Sequence, residues 1–307
     1  MVLDVILPIC LLLIFGFFCV KFKFILPEYI KGLSQFVFKI SLPAFLLQAL
    51  ARQRLDQIWN PSYFIAYGGG SLLIFAVAFF FYRQYFRCRL TESGVLSMGA
   101  SMSNTGFIGT AILTMLIGQH AAIYLSLTLI IENLIIVALT LMIAEAGINQ
   151  HQEKAQLMKQ TFINVVKNPV ILSIVFGITC VILKIQLPLY LLQALDMLGK
   201  TASPIALFVI GGSLVGMSLK ALNLQSVILV IFKVVLMPLT IFILLSLLPN
   251  VSQEMLYAGT LLAALPMPIA FGIMGQHYGL NDKALTALML STILGFMVLS
   301  GLIALWW

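Results

Sequence analysis

Two short stretches of this 307-residue chain hold residue types that could recognise a small ion. In SMSNTGFIGTAIL, the residues Ser101, Ser103, Asn104, Thr105, Gly106, Gly109 and Thr110 interrupt an otherwise apolar run. Ser, Asn and Thr compete for backbone hydrogen bonds, and Gly costs about 1 kcal/mol in a helix interior. In AALPMPIAFGIMG, Pro266 and Pro268 flank Met267. Neither proline offers an N–H, and each turns its preceding residue away from helix. Both stretches are expected to break a helix. A helix restarted after a break presents unbonded N–H groups and about half a positive charge. Two such ends meeting would hold an anion without a buried arginine. Taken singly, each stretch also reads as a kink or a close-packing face.

Ionisable residues within apolar runs are few, chiefly Lys39, Glu132, Lys200 and Lys233. Each costs on the order of 3 kcal/mol at mid-bilayer unless it meets a partner or a cavity. Glu132, beside Asn133, lies too deep to snorkel and reads as a proton or substrate contact slightly ahead of a satisfied packing contact. Lys233, in FKVVLMP, reads either as its counter-charge or as part of an anion path. Lys39 stands four residues before Pro43 as Lys200 stands before Pro204. Lys200, near a run's end, can snorkel, and Lys39 less readily. The three histidines and four cysteines lack metal-ligand spacing. Hydrolase, metalloprotease and phosphate-loop signatures are absent. Neither an enzyme nor a cofactor is expected.

The elements that must position these residues are helices in a bilayer. The chain is 62% apolar and 9% charged, with a mean hydropathy of +1.10. Soluble domains carry about 25% charged residues. Runs long enough to cross, at about 20 residues each, lie near 2–20, 32–50, 62–82, 94–117, 121–144, 168–183, 199–218, 225–247, 257–276 and 283–306. The expected fold is all-α and polytopic. The net charge of +7 then marks topology rather than nucleic-acid binding. With the amino terminus outside, inner loops hold Lys21, Lys23, Lys31, Arg83, Arg87, Arg89, Lys154, Lys159, Lys167, Lys220 and Lys283, against Arg52, Arg54 and Lys184 outside. Both termini therefore fall on the non-cytoplasmic side, and residues 145–167 form a cytoplasmic linker.

A shift of 161 residues superposes Pro8 on Pro169, Phe15-Gly16 on Phe176-Gly177, Cys19-Val20 on Cys180-Val181, Lys23 on Lys184, Lys39 on Lys200 and Pro43 on Pro204. Chance would match about one apolar position in ten. Five spans separate the copies, and five is odd, so the second copy enters the membrane the other way up. The expectation is ten transmembrane helices as two inverted five-helix repeats, 1–144 and 168–307, with broken helices 4 and 9. Gly118-Gln119-His120 also recurs as Gly275-Gln276-His277, at a shift of 157.

In family order, SLPAFL, SNTGFIGTAIL, NPVILSIVFGI, ASPIALFVIGGSL, FKVVLMPLT and AALPMPIAFGIMGQHYG resemble the auxin efflux carrier family, which includes bacterial organic-acid permeases. The resemblance covers the whole chain. It implies a scaffold of spans 1, 2, 6 and 7, and a transport bundle of spans 3–5 and 8–10 crossing at spans 4 and 9. It also implies an elevator-type motion and a homodimer formed through the scaffold. The family's crossover Asn falls on Asn104, and its span-nine Pro region on Pro266 to Phe271. Glu132 stands where the auxin carriers have a substrate-contacting Gln, and Ser103 where they have Pro. Ala111 replaces a Pro found in many relatives.

The sequence thus points to a secondary transporter of mono- or dicarboxylates such as malonate or malate in a bacterial inner membrane. Its candidate substrate-binding residues are Ser103, Asn104, Thr105, Gly106, Glu132, Asn133, Pro266, Met267 and Pro268, with Lys39, Glu132 and Lys233 serving charge or coupling. The alternative is a membrane receptor that binds without transport, which would be expected to carry a large signalling domain or tail. A channel would show a continuous polar stripe.

Overall fold

The computed structural model describes residues 2–51, 60–148, 167, 169–213, 215 and 223–306. The regular secondary structure among those residues is helical, with no strand. Helix α1 spans Val2–Lys21, and α2 (Pro27–Phe36) continues through a π-helical turn, Val37–Ser41, into α3 (Leu42–Ala51). Next come α4 (Pro61–Gln84), α5 (Leu90–Ser101), a π turn at Thr105–Gly109, and α6 (Thr110–Ile117). Helix α7 (Ala121–Ile130) passes through the π segment Ile131–Val137 into α8 (Ala138–Ile148). After α9 (Pro169–Ile182) follow α10 (Leu189–Lys200) and α11 (Ala202–Ser213). Helix α12 (Leu224–Ile231) runs through the π segment Phe232–Leu236 into α13 (Met237–Leu247). The last helices are α14 (Gln253–Ala264), α15 (Ile269–His277) and α16 (Asn281–Trp306).

Among the described residues, seven segments are long and apolar enough to cross a bilayer: Pro27–Gln48, Pro61–Gln84, Ile123–Ile148, Leu189–Gly212, Leu224–Leu247, Gln253–His277 and Asn281–Trp306. The fourth expected run is divided after Ser101, and the sixth, α9, has 14 helical residues. Local chemistry sets many starts. Asn60, Asn223 and Ser252 each accept the N–H three residues on, at 3.0, 2.8 and 3.1 Å. Pro27 and Pro61 occupy first-turn positions whose N–H would be unbonded anyway.

Some boundaries differ from the sequence reading. The seventh run starts at Leu189, ten residues early, directly after Pro188 at the N-cap; its polar residues are accommodated because Asp196 and Lys200 pair with each other at 2.5 Å and Gln48 bonds Asp196 at 2.8 Å. The helix ending in α8 reaches Ile148, so Glu145 is not in a linker. It is buried and accepts the Tyr278 hydroxyl at 3.0 Å. Burial and the Glu145 charge push the Tyr278 phenol well above its ordinary range, which keeps it a donor. Arg52, Arg54, Lys154, Lys159 and Lys220 lie outside the described residues.

Six described residues have left-handed backbone, and they fall in pairs: Lys23 with Lys184, Arg87 with Asn250, and Gly118 with Gly279, at offsets of 161, 163 and 161. Gly118 and Gly279 each close a half-helix. Gly275 lies inside α15, so the Gly-Gln-His recurrence is not a structural equivalence.

The helices pack into two groups. In the first, α1 lies on α11, α9 and α10 on α3, and α11 on α2. A Cβ on Gly16 would overlap the Phe208 carbonyl, and one on Gly211 the Leu13 carbonyl, so α1 and α11 touch backbone to backbone. In the second group, α4 packs on α5 and α13, α5 on α8, α13 on α14, and α16 on α12 and α15. Between the groups, α15 meets α2 and α11, and α7 meets α3.

Candidate functional site

The two expected breaks exist and touch. Helix α5 ends at Ser101, and Met102 is extended at φ −123°, ψ 146°. Helix α14 ends at Ala264, with Leu265 at φ −57°, ψ 152° and Pro268 at φ −72°, ψ 149°. Asn104 N–H donates to the Pro266 carbonyl at 3.0 Å, joining one break to the other. The Asn104 carbonyl accepts from Ile108 and Gly109 at 3.1 and 3.0 Å and restarts the chain. Met267 N–H donates to Ser291 Oγ of α16 at 3.3 Å. Backbone groups freed by both interruptions thus find partners inside the protein, as a membrane interior requires.

Ser103 links two buried charges. Its N–H donates to Glu132 Oε1 at 2.8 Å, and its hydroxyl accepts Lys233 Nζ at 2.6 Å. Lys233 also donates to the Ala263 carbonyl at 2.8 Å, and Tyr67 donates its hydroxyl to Glu132 Oε1 at 3.3 Å. Glu132 and Lys233 are both fully buried, and each sits in a π-helical segment. Such segments displace the side chains from the regular helical stripe and recur at functional sites. Asn133 donates Nδ2 to its own helix at Leu129 O, 2.8 Å.

A cavity of about 40 Å³ opens beside this junction. Its walls include Ser103, Asn104, Gly106, Glu132, Asn133 and Pro268 from one packing group, and Leu42, Phe45 and Ala202 from the other. One water needs roughly 10–15 Å³ on this measure, so the space suits a few waters or one compact polar group. A Cβ on Gly106 would come within 2.8 Å of the Phe45 ring, so glycine lets α3 approach the break. Thr105, Pro266 and Met267 are not among the lining residues: Thr105 and Met267 are buried, and Pro266 spends its carbonyl on Asn104. Lys233 is held behind Ser103.

Lys39 is not brought to the cavity; it is exposed on the π turn after α2, next to the stacked pair Phe38 and His277. Lys200 is exposed and pairs with Asp196. Among the described residues no cluster of His, Cys, Asp and Glu could hold a metal. Sequence reasoning missed Tyr67 and the Ala263 carbonyl. Tyr63 and Tyr67, one helical turn apart in α4 and stacked at 5.6 Å, were the available signal for a polar face there.

An all-helical, apolar chain whose two interrupted helices meet at buried polar groups has the make-up of a membrane transport protein. The chain belongs to the family described as Membrane transport protein, which matches residues 1–303, and this is the auxin efflux carrier family that its motifs resemble. It is 25% identical over 303 residues to the "Putative malonate transporter" of Rhizobium meliloti (strain 1021), covering 98% of this chain and 94% of that one. It is 22% identical over 302 residues to the "Uncharacterized transporter YfdV" of Escherichia coli (strain K12), covering 96% and 94%. A match of 24% over 211 residues to the "Lysosomal cholesterol signaling protein" of Mus musculus covers 66% of this chain and 24% of that protein.

Proposed function

We propose that the chain carries small mono- or dicarboxylates across the bacterial inner membrane by moving one packing group against the other. The cavity carries this reading, because its walls come from both groups at the place where the two breaks meet. In it, the Asn104 and Asn133 side chains and the backbone beside Gly106 and Pro268 would line the carboxylate. The malonate name of one relative agrees with that class.

The pairing of elements supports two inverted five-helix repeats. Exchanging the first five expected spans for the last five turns the contact of α1 with α11 into that of α9 with α3, and the contact of α4 with α5 into that of α13 with α14. The paired left-handed residues keep nearly the same offset throughout. The first group would be the scaffold and the second the moving bundle. Side-chain bonds follow the division. Gln48–Asp196 and Ser41–Thr201 lie inside the scaffold, whereas Glu92–Lys283, Tyr124–Glu254 and Tyr278–Glu145 lie inside the bundle. Ser34 Oγ, donating to Gln276 Oε1 at 3.0 Å, bridges the two.

A carboxylate about 4 Å from Glu132 would feel a repulsion on the order of 4 kcal/mol at an effective dielectric of about 20. Lys233, tied to Glu132 through Ser103, offsets a penalty of that size. Export of a monoanion would gain about 2.3 kcal/mol per 100 mV of membrane potential.

The test is counterflow in proteoliposomes with a panel of labelled carboxylates. Saturable exchange of at least one, lost in Asn104→Ala, is expected. Binding without exchange of any solute would replace the carrier by a receptor.

A further inference from the structure

Lys233 has no exposed surface, and the cavity does not reach it. Its two acceptors belong to the two breaks. Ser103 follows the end of α5, and Ala263 is among the last four residues of α14, whose carbonyls have no helical partner. The negative end of a helix dipole favours a cation at that place. Glu132 completes the surroundings from the π segment between α7 and α8, one residue's N–H away. A hydroxyl, a helix-end carbonyl and a nearby carboxylate make an all-oxygen environment, the kind that hard cations select. In this chain a side chain already fills it.

We propose that the Lys233 ammonium is a resident cation of the carrier, standing at the crossing where a bound alkali ion would otherwise sit, so that neither folding of the site nor transport needs sodium. Three features of the structure support this. The ammonium contacts both interruptions at once, as a bridging ion would. All its partners lie in the packing group that holds α5, α7, α8, α12, α13 and α14, so the cation and the Glu132 carboxylate travel together and add no net charge to the moving body. The substrate then sets the charge carried per cycle. The cavity wall is formed by Ser103 and Glu132, so Lys233 is a positioning residue that shapes the wall without touching what enters.

The inference rests on the carrier reading for its transport consequence, but not for its cation-binding one. Purified protein is therefore melted in detergent with sodium, potassium, methylammonium or choline chloride at equal ionic strength. Wild type is expected to melt at the same temperature in all four. Lys233→Ala is expected to melt lower in choline and to recover saturably with sodium or methylammonium, which can enter the vacated place. The neutral double variant Glu132→Gln/Lys233→Met is expected to fold and to ignore sodium. It also keeps the test decisive if the single variant cannot be purified. Wild type stabilised saturably by sodium would overturn the proposal. So would a Lys233→Ala protein that no small cation rescues, or a double variant that folds only with sodium. Labelled malonate counterflow in sodium and in choline is read separately. Equal rates are expected, and a sodium requirement would refute the proposal. If malonate is not carried at all, the carboxylate reading suffers, and the melting arms still decide this one.

Discussion

Replacing Ser103 by Ala or by Pro separates the two bonds this residue makes. Alanine keeps the N–H to Glu132 and removes the hydroxyl that accepts from Lys233; proline removes both. Hydrogen bonds to charged groups contribute about 1.5–3 kcal/mol each. Ser103→Ala should therefore destabilise by about 1.5–3 kcal/mol and Ser103→Pro by about twice that. Backbone strain before the proline adds little, because Met102 is already extended at φ −123°, ψ 146°, the region that precedes prolines. Thermal or denaturant unfolding in detergent reads the order of the two variants. The same pair made in a Glu132→Gln background supplies the decisive control. There the acceptor is neutral, the lost N–H bond is worth about 0.5–1.5 kcal/mol, and the gap between Pro and Ala should narrow accordingly. A Pro variant no worse than the Ala variant, or a gap unchanged by Glu132→Gln, would refute the reasoning. The auxin carriers have Pro and Gln at the positions of Ser103 and Glu132. In this chain the two positions that the resemblance marks as departures are joined by one hydrogen bond.

Three further outcomes are expected. Because Glu132 stays a carboxylate tied to Lys233 through Ser103, Glu132→Gln should leave the slope of uptake against pH unchanged; a profile that flattens in the variant would give Glu132 a coupling proton and contradict the paired charges. Lys39→Ala should leave carboxylate exchange within about twofold of wild type, because Lys39 is exposed and away from the cavity; a loss of tenfold or more would place Lys39 on the path. Gly211→Ala should destabilise by roughly 1–3 kcal/mol or more, since its Cβ meets the Leu13 carbonyl rather than a movable side chain; an unchanged melting temperature would mean that α1 and α11 can separate freely.

What was legible in the sequence was local. Pro266 and Pro268 forbid helix by their own covalent structure, and the SNTG run weakens it residue by residue, so both breaks could be read directly. The apolar runs followed from bilayer thickness alone. What was not legible depended on distance or on π segments. Lys233 and Ser103 are 130 residues apart, and no periodicity says that one will donate to the other. Lys39 read as less able to snorkel than its repeat partner Lys200, yet the π turn at Val37–Ser41 leaves Lys39 exposed outside the site. Tyr67 was hidden because a Tyr in an apolar run looks like packing until its hydroxyl finds Glu132. The early start of α10 was masked by Asp196 and Lys200, whose mutual pairing lets a polar pair ride on a helix.

The most direct test of a bundle moving against a scaffold is a reversible bridge placed where the two meet. Cysteines at Ser34 and Gln276, whose side chains bond at 3.0 Å, would tie α2 to α15. Cysteines at Glu92 and Lys283, whose long side chains pair within the second packing group, supply the control, both pairs being joined by a reducible bifunctional thiol reagent long enough to span them. Labelled-carboxylate counterflow should fall to background when the Ser34→Cys/Gln276→Cys bridge closes and return on reduction, with the Glu92→Cys/Lys283→Cys bridge leaving it intact. Exchange at the unbridged rate with the first bridge closed would contradict the account.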